Sequence, residues 1–153
     1  RLPAEPKCER VAGMPVPSGV EAVEVPWQQL FEAAELARQR AHAPYSKFLV
    51  GAVILCDDGS ISAGCNVENA SYGLTVCAER NAVGAMVLGG KKPVAVAIVV
   101  DSREPTPPCG MCRQVLAEFG APTLPVGSRT VSGVEARWTV ADLLPHAFTR
   151  SFL

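Results

Sequence analysis

The chain reads as an α/β domain, and three observations predict it. A continuous apolar run, Val94 to Val100, has the make-up of a strand buried on both faces. Helical patterns flank it, one after Cys77 and one after Cys109. Turn signals at Asp57-Asp58-Gly59-Ser60 and at Ser132-Gly133 each separate two short apolar runs, as hairpins do. With 153 residues, 48% of them hydrophobic and 19% charged, one domain with a real core is expected. The apolar excess points to buried subunit surface. Net charge is -1 and no Lys/Arg cluster exceeds Lys91-Lys92, which argues against a nucleic-acid partner. No apolar run reaches the length of a membrane span. Six cysteines in a domain this large do not read as a disulfide scaffold, so a reducing, cytoplasmic setting is expected.

Residues 1–25 carry Pro3, Pro6, Pro15, Pro17, Gly13 and Gly19 without a period. An irregular extension with a free Cys8 is expected there, and residues 26–153 are expected to form a single domain. No signal peptide is expected, since the apolar stretch is too broken, and without an initiator Met the native start is expected to lie upstream. Pro26 suits the first position of a helix in which Leu30, Ala33, Ala34, Leu36 and Ala37 share a face. This helix is expected to stop before Pro44. Phe48 to Cys56 and Ile61 to Cys65 read as strands, and Gly51 inside the first marks close approach by another backbone. A polar loop follows, Asn66 to Thr75. Its Asn66 and Glu68 can hydrogen-bond hydroxyls or simply cap the turn. The helix from Val76 to about Leu88 is apolar nearly all round, so it must be covered on nearly all sides, most completely by another subunit. Val94 to Val100 reads as a central parallel strand closing a βαβ unit. A proline-rich loop, Asp101 to Pro108, delivers Cys109 to a helix closed by Gly120. Leu124 to Val131 and Val134 to Trp138 form the second hairpin. Thr139-x-x-Asp142 starts a short helix that Pro145 ends.

The chemistry gathers in Cys77-Ala78-Glu79-Arg80 and Pro108-Cys109-Gly110-Met111-Cys112. Both stand at helix starts, where unpaired N–H groups favour thiolate over thiol. Alone, Cys109-x-x-Cys112 fits a redox pair, a structural zinc site or a catalytic one. Cys77 and Glu79 shift the balance, since a dithiol needs neither. A closed site would need a fourth ligand. Cys56 and Cys65 end apolar strands and read as small core residues. His42 reads as a favourable group at a helix end, and His146 has no close ligand partner. Three ligands, Cys77, Cys109 and Cys112, leave the fourth tetrahedral position open, the catalytic arrangement of zinc. Glu79 lies about 200° round the helix from Cys77, poorly placed to ligate but able to move protons.

Cys-x-Glu followed by Pro-Cys-x-x-Cys is the pairing of zinc deaminases that attack C4 of cytosine. The chain resembles the small, tetrameric cytidine deaminases from about Leu30 to Phe148. The carrying segments are Ala43-Pro44-Tyr45-Ser46-Lys47-Phe48-x-Val50-Gly51-Ala52, Gly64 to Tyr72, Cys77 to Arg80, Pro108 to Gln114 and Leu143 to Phe148. The resemblance implies a three-layer α/β/α sandwich around a mixed five-stranded sheet. It implies one Zn2+ per subunit on Cys77, Cys109 and Cys112, with Glu79 as proton shuttle. Phe48 would lie against the pyrimidine, Asn66 and Glu68 would grip the ribose 3′-hydroxyl, and the Ala78 N–H would meet the base carbonyl. Ala70, Tyr72 and Phe148 would reach a neighbouring subunit's site in a homotetramer. Arg80 would withdraw charge from the sulfurs, the alternative being a surface or interface arginine. The family has Thr-Ala after this arginine; Asn81-Ala82 stands here. Cytidine and deoxycytidine are the implied substrates. Deamination of another aminopyrimidine such as blasticidin S, or a non-enzymatic zinc or redox module, are the alternatives. The absence of basic residues near the ribose loop favours nucleoside over nucleotide.

Overall fold

A computed structural model describes residues 24–153; the expected extension and Cys8 lie outside the described residues, save for positions 24 and 25. Helix α1 (Trp27–Arg38) precedes strands β1 (Val50–Cys56) and β2 (Ile61–Cys65). Helix α2 (Ala78–Leu88), strand β3 (Pro93–Val100) and helix α3 (Gly110–Phe119) form the middle. Strands β4 (Pro125–Thr130) and β5 (Glu135–Thr139) and the short helix α4 (Val140–Leu143) complete the sheet side of the chain. The five strands run in the order β2-β1-β3-β4-β5. Among the described residues no helix is long and apolar enough to cross a membrane.

Period-two alternation divides the core into two layers. Ala52, Ile54 and Cys56 of β1 and Val96, Ile98 and Val100 of β3 face α2 and α3. Val53 and Leu55, with Ala95, Ala97 and Val99, face Leu30, Phe31 and Ala34 of α1. The mixed five-stranded α/β/α sandwich is therefore present. Strand β3 is central, but only half parallel: it runs parallel to β4 and antiparallel to β1. The β2-α2-β3 crossover exists with β1 inserted between its strands, because the first hairpin folds β1 onto both neighbours.

Two glycines set how closely the helices approach. A β-carbon at Gly51 would run into the backbone of Ala34 and Arg38, so α1 lies directly on β1. A β-carbon at Gly64 would run into Ala78 and Ala82, so the start of α2 lies directly on β2. The first approach was legible in the sequence; the second was not.

Several boundaries differ from expectation, each for a local reason. Pro26 is the cap residue of α1 and not its first helical residue. The helix stops before Pro44 as expected, and it ends as early as Arg38, since the chain must turn so that His42 can pair with Val67. His42 is therefore not a helix-end group; its backbone bonds Asn66 O and Glu68 N. Strand β1 starts at Val50, because the Phe48 backbone is held by side chains instead of a neighbouring strand. Val76 pairs with Val67, which delays α2 to Ala78. Cys56 is a core residue, whereas Cys65 is only half-buried. Helix α2 buries Ala78, Glu79, Ala82, Val83 and Met86, yet leaves Val87 and Leu88 exposed in the single chain. The Thr139–Asp142 capping box is present as expected.

Candidate active site

Helices α2 and α3 pack side by side and start at the same end of the sheet, beyond Val100. Cys77 caps α2 and Cys109 caps α3, while Cys112 lies in the first turn of α3. Neither cap cysteine makes a side-chain capping bond, so both sulfurs are free to face each other. The Sγ atoms of Cys77 and Cys109 are 3.7 Å apart, and all three sulfurs lie within 4.8 Å of one another. A tetrahedral zinc with Zn–S near 2.3 Å needs sulfurs about 3.8 Å apart, so the donor set and its spacing fit that ion. Disulfide bonds are absent among the described cysteines.

The charges are arranged around this cage. Hydrogen bonding from Cys112, then from Arg80 and Cys109, pulls the Cys77 thiol down to about 5, against the opposing effect of burial. Cys112 moves up, through its bond to the Cys77 sulfur and its burial, because neighbouring sulfurs resist a second negative charge. An Arg80 terminal nitrogen donates to Thr75 O at 3.0 Å and to Cys77 Sγ at 3.8 Å. Its Nε is buried with no hydrogen-bond partner among the described residues. The thiolate of Cys77 holds the guanidinium firmly protonated. Glu79 is 6% exposed, and burial raises its carboxyl above the ordinary 4.5, with the charge of Cys77 adding to the effect.

A cavity of about 160 Å³ opens beside the sulfurs and takes in Phe48, Asn66, Cys77, Ala78, Glu79 and Cys109. The expected residues from four separate chain segments thus meet at one place. Val50, Thr75, Ile98, Val100, Thr106 and Pro107 line it too and were not singled out from the sequence. Thr106 and Pro107 were signalled by the proline-rich loop before Cys109; Ile98 and Val100 could be found only by knowing where β3 ends.

Thr75 also borders a second cleft of about 440 Å³, with Tyr45, Ser46, Glu68 and Tyr72. Glu68 therefore stands next door to the sulfur cavity and not in it. Its Oε2 accepts the N–H of Tyr45 at 2.9 Å and of Ser46 at 3.2 Å, and its Oε1 accepts the Ser46 hydroxyl. The Asn66 amide donates to Phe48 O and accepts from Val50 N, both at 2.8 Å. It keeps one N–H and one lone pair for a ligand. Folding brings one basic residue to this loop that its own sequence lacks: His42 pairs with Val67 and contributes to the lowering of Glu68. Ala70 and Phe148 are exposed and line neither cavity of their own chain, while Tyr72 borders the second. Phe148 stacks on Phe152 at 5.5 Å, and its carbonyl accepts from Gln114. Asn81 donates to Cys65 O at 2.8 Å and ties α2 to the end of β2.

Comparison with known proteins agrees with this geometry. The family described as the cytidine and deoxycytidylate deaminase zinc-binding region matches residues 26–128. A cytidine deaminase of Halalkalibacterium halodurans is 48% identical over 123 residues, covering 80% of this chain and 93% of that one. The crystal structure of a cytidine deaminase from Burkholderia pseudomallei superposes with a TM-score of 0.76 at 48% identity, covering 79% and 98% of the two chains. A more distant relative, a blasticidin-S deaminase of Bacillus cereus, is 31% identical over 81% of this chain and 95% of its own.

Proposed function

Because this chain belongs to the cytidine and deoxycytidylate deaminase family, we propose that it hydrolyses cytidine and deoxycytidine to uridine and deoxyuridine, releasing ammonia. Residues 26–153 act as one catalytic domain, in a cytoplasmic homotetramer with one zinc per subunit. The observation that carries the reading is a three-sulfur cage opening on a cavity whose one buried carboxylate is Glu79.

Cys77, Cys109 and Cys112 would hold the zinc, which supplies the Lewis acidity that makes water nucleophilic at neutral pH. Three thiolates oppose that acidity. Arg80, bonded to Cys77 and lodged beside the cage, offsets part of their charge. Phe48 lies against the pyrimidine, and the Ala78 N–H at the start of α2 meets its carbonyl. Asn66 from this cavity and Glu68 from the adjoining cleft take the ribose hydroxyl. Glu79 removes one proton from the attacking water and delivers it to N3, which makes C4 electrophilic. Oxygen bonds to C4. Glu79 then carries the second water proton to the amino group, the C4–N bond breaks, and ammonia leaves with C4 as a carbonyl. A raised carboxyl suits a group that must both take and return a proton. Ala70, Tyr72 and Phe148 extend toward a neighbour's site; Tyr72 is 77% and Phe148 59% exposed in the single chain, as side chains with work outside their own subunit would be.

The experiment follows ultraviolet loss of cytidine absorbance together with zinc content. Wild type is expected to turn cytidine over. Glu79→Gln is expected to lose more than about 10²–10⁴-fold, the usual worth of acid–base catalysis, with zinc content unchanged. Turnover largely retained by Glu79→Gln would overturn its role. Zinc-loaded wild type that spares cytidine but consumes blasticidin S would overturn the substrate.

A further inference from the structure

Glu68 is placed by a network that neither core of the fold requires. Its donors, Tyr45 and Ser46, are exposed, and none of the three residues belongs to either buried cluster. Three donors nevertheless converge on this one carboxylate. A carboxylate has about four lone-pair directions, so three bonds leave one, on Oε1, for a ligand.

The Ser46 hydroxyl decides which one. It carries a single proton. Its oxygen accepts the Phe48 N–H at 3.0 Å, which turns the proton away from the chain and toward Glu68 Oε1. Between Ser46 and Phe48, Lys47 is the only non-glycine residue with positive φ among the described residues, at 60°. Side-chain-bearing residues avoid that conformation, and it persists where the surroundings over-determine it. Here the flanks are pinned by the Ser46 hydroxyl on Phe48 N and by the Asn66 amide on Phe48 O.

We propose that Ser46 is a positioning residue for ribose discrimination: its hydroxyl, oriented by the Phe48 N–H, aims the remaining acceptor direction of Glu68 at the sugar hydroxyl. The inference rests on the ribose role assigned to Glu68 above. Hydrogen bonds to charged groups are the stronger kind, so the effect should be measurable although the loop is exposed.

The test measures kcat/KM on cytidine and on 3′-deoxycytidine for wild type, Ser46→Ala, Ser46→Thr and Glu68→Gln. Wild type should prefer cytidine. Ser46→Ala should lose about tenfold on cytidine and less than about twofold on 3′-deoxycytidine, as hydrogen bonding to a charged acceptor predicts. Ser46→Thr, which keeps the hydroxyl, should restore the preference. Equal losses on both substrates would show a merely structural serine, and no loss on either would show none; both overturn the proposal. Glu68→Gln should abolish the preference. If it does not, the ribose role of Glu68 falls first, and that outcome is separable from a Ser46 failure in which Glu68→Gln does abolish it.

Discussion

Glu68 and Glu79 are tuned in opposite directions by their surroundings. Glu79 is buried among sulfurs, and its carboxyl rises. Glu68 receives the Ser46 hydroxyl and the N–H groups of Tyr45 and Ser46, and its carboxyl falls below the ordinary 4.5. The first suits proton transfer; the second suits a permanent hydrogen-bond acceptor. A pH dependence follows for Glu68. A depressed carboxyl contributes stability that is fully present above the unfolded value and is lost as pH falls through the folded one. The stability gap between wild type and Glu68→Gln should therefore be flat above about pH 4.5 and shrink below it, because the native state must then be protonated. Urea unfolding midpoints of the metal-loaded proteins at several pH values measure this. A gap that widened on acidification would contradict the assignment.

At the scale of elements, glycine contacts place the helix that Cys77 caps. Gly51 lets α1 sit on β1, and Gly64 lets α2 sit on β2. The two contacts are alike in geometry but differ in what they carry: α1 bears no site residue, whereas the start of α2 bears Cys77, Ala78, Glu79 and Arg80. Gly51→Ala and Gly64→Ala should each destabilise the fold by about 1–3 kcal/mol, the usual cost of overpacking. Only Gly64→Ala should also weaken zinc retention and lower activity out of proportion to the folded fraction. Denaturation midpoints read beside zinc content and turnover separate the two. Equal zinc retention in both variants would show that α2 can shift without disturbing the sulfurs.

Among the described residues, several large apolar side chains are exposed in the single chain. Leu88 is 91% and Leu153 97% exposed, with Tyr72, Phe148 and Phe152 also in solvent in the single chain. Where such groups form a contiguous patch, symmetric association is the ordinary way to cover them. Light scattering should give a mass near four chains. Introducing charge on α2, as in Leu88→Asp, should lower that mass by at least half and reduce activity with it, if neighbouring subunits complete the site. A monomeric mass for active wild type would contradict the tetramer.

The amino-acid sequence by itself determined the chemistry. Cys77, Glu79, Cys109 and Cys112 could be singled out because Cys-x-Glu and Pro-Cys-x-x-Cys are local patterns that together match the zinc deaminase pairing. The five strands, the two hairpin turns and the Thr139–Asp142 cap were legible for the same reason, since period and turn chemistry act over a few residues. The tertiary structure alone decided the rest. That β1 pairs with β3, that His42 belongs with the Asn66–Thr75 loop, and that Ser46 bonds Glu68 depend on contacts between residues 22 or more positions apart. No local pattern records such contacts, because they arise only when buried faces choose their partners and the backbone then satisfies its hydrogen bonds.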